Sequence, residues 1–367
     1  MRPVIIRQPP PAGDSIKKSM SNIIFMELKK ILVQWKNGPS QIGRMYPLPV
    51  FDEHDIVQLC SEVKDILRIQ PAVIQRKPGV IIVGDLHGNF LNFLQIFAIH
   101  GLPPNQNYIF LGNYINYGEF SLEVVIYLFS LYYLFPSNIS LLRGSTEFYP
   151  SKGPRSLSSN IDTTYGPNSI LKSVFLETFT YLPIACLIGN SVLCSRSSLV
   201  SRYSNLQEIF HETLPIPCVV DQSHLFLSGL ANVIPSEEVL EEFLATNNLN
   251  FLIFGGKNAG DGVENMLDDR CYALASDAHM GYCGIINLVG NQPPFAIIFT
   301  PDSDLLRENA QMLRVRPMSN QKVRPTICSI VPDRKQPLPA AQIKRNVSRL
   351  PSLSPQPLNL EPKRIMI

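Results

Sequence analysis

The stretch GVIIVGDLHGNF, Gly79–Phe90, decides how the rest of the chain is read. VIIV is an unbroken β-branched run closed by a glycine at each end, the pattern of a short buried strand. Asp85 and His87 follow on a glycine-flanked loop, and NFLNFLQIFAIH then continues as an apolar helix, with Gly101 placed to cap it. A carboxylate and an imidazole two residues apart on such a loop can face one divalent cation, and the pair suits Mn, Fe or Zn. The residues alone leave another reading open, a strand–turn–helix corner in which Asp85 is a capping residue.

Moving outward, YIFLG ends a second strand at Gly112, FSLEVVIYLFSLYYLF reads as an apolar helix, and NISLLRG reads as a third strand. That β-α-β-α-β order predicts an α/β core with a largely parallel sheet. The loop after the second strand leaves its carboxyl end, where ligands collect in such sheets. It nonetheless holds only Asn113, Tyr114, Ile115, Asn116 and Tyr117, with no charge among them. Upstream, residues 21–77 have a helical pattern. After Leu193 the apolar runs shorten (SVLCSRSSLV, HLFLSGL, FLIFGG, CYALAS, GIINLVG, FAIIFTP), with one longer helix, SEEVLEEFLATNN, among them. This half predicts a second sheet packed on the first.

Hydrophobic residues make up 45% of the 367 residues and charged residues 17%, so the chain can bury a core. The net charge of +2 gives no support for a nucleic-acid or membrane role. The charge is uneven: residues 302–367 carry 12 Lys and Arg against 5 Asp and Glu, a basic, proline-rich tail. We read 1–20 as a flexible lead-in, 21–301 as the folded domain and 302–367 as a disordered tail. An adaptor that binds nucleic acid or membrane through that tail is the reading only the tail supports. The seven cysteines are scattered and include no C-x-x-C. That fits reduced thiols and a cytoplasmic or nuclear setting better than a disulfide framework or a zinc site. The start MRPVIIRQPPPAGD lacks the apolar core of a signal peptide, and the longest apolar stretch is shorter than the ~20 residues a membrane span needs. His54, His100, His211, His224 and His279 show no metal-ligand spacing and read as structural or surface residues.

Over roughly residues 22–300 the sequence resembles the catalytic domain of the phosphoprotein phosphatase (PPP) family of Ser/Thr phosphatases. GVIIVGDLHGNF with its helix, YIFLGNY, SLEVVIYLFSLYYLFPSNISLLRG, TFTYLPIACLIGNSVLCS and EEVLEEFLATNNLNFLIFGG are similar to that family's blocks, in the same order. The resemblance implies a calcineurin-like metallophosphoesterase fold: α/β, two packed mixed β-sheets flanked by helices. It also implies two metals that activate a bridging water for in-line attack on phosphorus, with arginines holding the phosphate.

Set on the family's motifs, Asp85 and His87 keep the first metal loop. Asn113 stands for the metal-bridging Asp, Asn116 for a second Asp and Tyr117 for a phosphate arginine. Ser145 replaces an Asn ligand, and Thr146 replaces the His that protonates the leaving group, while Glu147 remains. Arg196 and Gly256 fall where the later histidine ligands belong, and no arginine occurs between Tyr203 and Asp269. The uncharged loop is thus the place where a carboxylate and a cation would be. Tyr117 is expected to plug the groove this leaves.

The resemblance therefore implies a pseudophosphatase with no catalytic residue at the acid position, acting as a protein-binding scaffold or regulator. Expected partners are proteins, phosphorylated ones included, with no nucleic acid and no membrane. No cofactor is expected beyond, at most, one weakly held divalent metal (Mn, Fe or Zn) at Asp85, His87 and Asn113. Arg196 could pair with Asp85 in the cavity the metals leave, hold a phosphorylated peptide, or extend to solvent. The alternative reading is a weak or altered metal-dependent phosphoprotein phosphatase that uses the Asp85/His87 loop.

Overall fold

The computed structural model describes residues 19–38, 42, 46–149, 153–218, 235–255, 259–277, 281–290, 292–300 and 314–315. They belong to one compact unit, Met1–Cys328. The second unit, Ser329–Ile367, lies outside the described residues, as do most of the lead-in and nearly all of the basic tail.

In chain order the described elements are α1 (Met20–Asn37), β1 (Leu48–Pro49), α2 (Glu53–Leu67), β2 (Val73–Arg76), β3 (Val80–Val83), α3 (Phe90–His100), β4 (Tyr108–Phe110) and α4 (Ser121–Leu134). Then come β5 (Ile139–Leu141), α5 (Ser145–Phe148), α6 (Leu157–Tyr165), α7 (Leu171–Phe179), β6 (Ala185–Ile188), β7 (Val192–Arg196), α8 (Ser197–Arg202) and α9 (Leu206–Phe210). The rest are α10 (Glu237–Thr246), β8 (Phe251–Gly255), β9 (Val263–Met266), β10 (Cys271–Leu274), β11 (Cys283–Leu288), β12 (Phe295–Phe299) and β13 (Arg314–Val315).

Two mixed sheets face each other. One runs β12-β11-β3-β4-β5, with β3, β4 and β5 parallel and β11 and β12 antiparallel. The other runs β2-β6-β7-β8-β10-β9. Although β3 is apolar throughout, its side chains alternate between two cores, as the strand period requires. Val80 and Ile82 point between the sheets, and Ile81 and Val83 point to the helices. Ile109 of β4, Cys194 of β7, Ile253 of β8 and Leu274 of β10 also join the inter-sheet layer, whereas Leu193, Leu252 and Ala273 face the outer helices of the second sheet. The layers are therefore helix, sheet, sheet, helix, as the resemblance implies.

Helix α4 is buried from Ser121 through Tyr132 because it lies under α1, α2 and α6 and beside β5. An all-round apolar helix needs such a position. Aromatic packing anchors it, with Phe129 against Phe175 and Phe179 and Tyr127 stacked on Phe90.

Two expectations about elements are corrected. The helical pattern over 21–77 breaks at Val73–Arg76, which is edge strand β2 paired in parallel with β6. Pro71 stops α2 from continuing, and the β-branched pair Val73–Ile74 suits a sheet. The short run SVLCSRSSLV, in the half expected to be rich in strands, is part strand and part helix: β7 ends at Arg196 and α8 starts at Ser197. HLFLSGL lies outside the described residues. Within the span read as a disordered tail, Arg314–Val315 pairs in parallel with Leu48–Pro49.

Leu128 has no exposed surface and sits in the middle of α4. Leu128→Ala should lower stability by about 2–5 kcal/mol, read as a fall in the midpoint of denaturant unfolding with unchanged slope.

Candidate functional site

Parallel strands deliver their carboxyl ends to one rim. Asp85 follows β3, Asn113 follows β4, Ser145 follows β5, Arg196 ends β7 and Gly255 ends β8. The two sheets are tied together at this rim. Asp85 forms an isolated parallel bridge with Ala275, just beyond β10; the Ser276 N–H donates to the Asp85 carbonyl at 3.0 Å, and the Ser276 hydroxyl accepts from Gly84 N–H at 2.8 Å.

Asp85 is only 3% exposed, and each carboxylate oxygen accepts from a side-chain N–H. Arg196 Nη1 donates to Oδ1 at 3.2 Å, and Asn113 Nδ2 donates to Oδ2 at 2.8 Å. Asp85 therefore does not cap α3; Asn89 does, its side chain accepting from Asn92 N–H at 3.2 Å. Arg196 is 4% exposed, and its Nη2 reaches Ser145 Oγ at 3.4 Å. It pairs inside the site and does not extend to solvent. Gly255 makes room for that pair: a Cβ there would stand 2.8 Å from Asp85 Oδ1 and 3.4 Å from Arg196 Nη1.

His87 Nδ1 is 2.6 Å from Asp277 Oδ2, and its Nε2 is 3.8 Å from Asp85 Oδ2. Burial pulls the imidazole pKa down, but the hydrogen bond to Asp277 and then the charges of Asp85 and Asp277 outweigh burial and Arg196, so it lies above its ordinary value. Asp277 is a site residue that the sequence reading misses. Its only local signal is an acid just past the CYALAS strand; the histidine nearby, His279, lies outside the described residues. Tyr117 does not plug a groove. It is 68% exposed, with its ring edge-on to His87 at 5.0 Å.

Glu147 holds the second and third loops. It is fully buried and accepts from the backbone N–H groups of Asn113 (2.8 Å), Tyr114 (2.9 Å) and Gly144 (2.9 Å) and from the Thr146 hydroxyl (2.8 Å). The main chains at Gly112 and Gly144 touch, since a Cβ on Gly112 would lie 2.2 Å from Gly144 N. Asn113 Oδ1 accepts from Ser145 Oγ and Thr146 N–H, both at 3.0 Å. Asn116 acts as a spacer, its side-chain oxygen accepting from Leu157 N–H at 3.1 Å while its backbone N–H donates to Ser121 Oγ at 2.8 Å. Beneath them, Arg143 is wholly buried, donating to the carbonyls of Ile216 (2.5 Å) and Glu147 (3.2 Å) and lying on the Phe148 ring. Burial lowers its pKa to about 10, so it stays cationic at neutral pH.

The structure thus brings Asp85, His87, Asn113, Ser145, Thr146 and Arg196 together, keeps Asn116 in a supporting loop and Tyr117 on the rim, and leaves Gly256 outside the described residues. A two-metal centre does not fit this set. Asp85 meets N–H groups on both oxygens, and the carbonyl oxygen of Asn113 is turned to Ser145 and Thr146. A metal ~4 Å from the guanidinium would be repelled by several kcal/mol at an effective dielectric of ~20. Among the described residues, no group of three or more His, Cys, Asp and Glu is placed to hold an ion.

Glu147→Gln would turn an amide N–H toward backbone donors. It should lower stability by about 1–3 kcal/mol, measured by thermal or denaturant unfolding.

Comparison with known proteins agrees with this architecture. Residues 79–257 match the model of the calcineurin-like phosphoesterase family. The chain is 26% identical to the PP2A-like serine/threonine-protein phosphatase PPG1 of Saccharomyces cerevisiae, over 73% of this chain and 82% of that protein. It is 29% identical to the serine/threonine-protein phosphatase 6 catalytic subunit of Caenorhabditis elegans, over 63% and 75% respectively. A solved Saccharomyces cerevisiae serine/threonine phosphatase, described as similar to human PP5, shares the fold with a TM-score of 0.56 at 18% identity, covering 75% of this chain and 93% of that one. Two facing mixed sheets, the Asp85/His87 loop at their rim and these matches together identify a calcineurin-like phosphoesterase fold whose sequence is similar to serine/threonine-protein phosphatases.

Proposed function

We propose that this protein keeps a Ser/Thr phosphatase fold without phosphatase turnover and works as a protein-binding scaffold or regulator. The observation that carries this reading is the buried contact between Arg196 and Asp85. It sets a permanent cation against the carboxylate that the family resemblance makes a metal ligand.

The other positions support the same reading. Thr146 offers only an alcohol, already donating to Glu147, where the resemblance expects a proton donor. The Asn113 amide is neutral and cannot offset two divalent charges. Tyr117 brings no positive charge for a phosphate. A general acid or an electrostatic donor is typically worth about 10²–10⁴ in rate, and although such losses are not additive they compound. The proposal of protein partners is supported by one relative, which is named as a catalytic subunit. No described helix is long and apolar enough to cross a membrane. The thiols of Cys60, Cys186, Cys194, Cys218, Cys271 and Cys283 are all free, which supports a cytoplasmic or nuclear setting.

One observation favours a second reading, a weak or altered metal-dependent phosphatase. The carboxylate of Asp277 orients His87 in the way outer carboxylates orient metal-binding histidines. A phosphoserine peptide separates the two readings. With excess Mn²⁺, the purified protein should release no phosphate above an Asp85→Ala control; turnover that this substitution abolishes would establish the second reading and sink the first.

A further inference from the structure

We infer that Arg196 is the resident cation of this site, standing in for a divalent metal and making the fold independent of metal. The inference rests on the reading above and extends it to what holds the site together.

Polarity around Asp85 carries it. A metal ligand turns lone pairs toward the cation, and the groups beside Asp85 do the reverse. Arg196 Nη1 faces Oδ1 at 3.2 Å, and Asn113 Nδ2 faces Oδ2 at 2.8 Å. The orientation of the Asn113 amide is fixed independently. Thr146 N–H lies 3.0 Å from its other end and can only donate, so that end is the carbonyl oxygen and the NH₂ must point at Asp85. The guanidinium also links loops from both sheets, since its second nitrogen reaches Ser145 beyond β5. Gly255 leaves it the space it fills. A guanidinium remains charged wherever a carboxylate is ionised, so the compensation persists without any bound ion.

The experiment uses the full chain, with Mn²⁺ binding followed by electron paramagnetic resonance and the melting temperature followed in EDTA and in excess Mn²⁺. The wild-type protein should show no saturable Mn²⁺ binding and the same melting temperature in both conditions. Arg196→His, which replaces the cation with a third ligand beside Asp85 and His87, should gain one saturable Mn²⁺ site and melt several degrees higher in Mn²⁺ than in EDTA. Asp85→Asn on that background should remove both gains. Arg196→Lys keeps a cation in place and should stay indifferent to Mn²⁺. Saturable binding by the wild type or by Arg196→Lys that Asp85→Asn abolishes would overturn the inference. So would an Arg196→His protein with a native circular dichroism spectrum and no gain in Mn²⁺ affinity. Phosphopeptide turnover reports on the other reading separately: binding without turnover sinks only the resident-cation inference, and turnover in EDTA sinks only the absence of catalysis.

Discussion

A carboxylate buried where two sheets meet must be neutralised, because an ionised group left alone in a protein interior is penalised by several kcal/mol. In this protein the carboxylate is Asp85; Arg196 supplies the opposite charge and Asn113 a hydrogen bond to the other oxygen. Each comes from a different strand end: Asp85 from β3, Asn113 from β4 and Arg196 from β7. The compensation therefore also joins the five-stranded sheet to the six-stranded one. The Asp85–Ala275 bridge and the Ser276 hydroxyl reinforce the junction through the backbone.

The loops around Asp85 are held by groups that have no part in metal chemistry. Glu147 gathers three backbone N–H groups and a hydroxyl, and Arg143 braces it from below through the Glu147 carbonyl. The N–H groups of Leu86 and His87 both donate to the Asn113 carbonyl, and Gly88 N–H donates to that of Tyr114, so the first and second loops are sewn together by main chain. His87, Asn113, Asn116 and Tyr117 all have positive φ, a backbone uncommon outside glycine that Asn and His adopt more readily than most residues. The loop shapes are therefore set largely by main-chain hydrogen bonds and by Glu147, with the side chains of Asn113 and Asn116 adding to them.

Much of the framework is legible in the sequence. VIIVGDLHGNF, YIFLG and NISLLRG correspond to β3, β4 and β5 in parallel order, because short apolar runs closed by glycine and separated by long apolar helices admit few other arrangements. The segment PAVIQR reads as helix since its neighbours carry helical periodicity; its strand character depends on pairing with β6, more than a hundred residues away. The boundary between β7 and α8 escapes the sequence for a related reason, as SRSS carries no strong local preference and the helix is set by packing of Leu199 and Val200. In the site, the role of Asp277 is hidden because nothing local marks an acid whose partner, His87, lies on another sheet.

The residue types at the rim are determined by the sequence alone: an intact Asp85/His87 pair, neutral residues at 113, 116 and 117, an alcohol at 146 and an arginine at 196. Charge and hydrogen-bonding capacity belong to the side chain, so the groups this site can offer are legible in the residue types themselves. Where the arginine points is decided only by the tertiary structure. Arg196 could have reached solvent, and its side-chain length permits either course. It turns inward because the end of β7 lies beside a glycine on β8 and across from the buried carboxylate that follows β3, an arrangement created only when the two sheets pack.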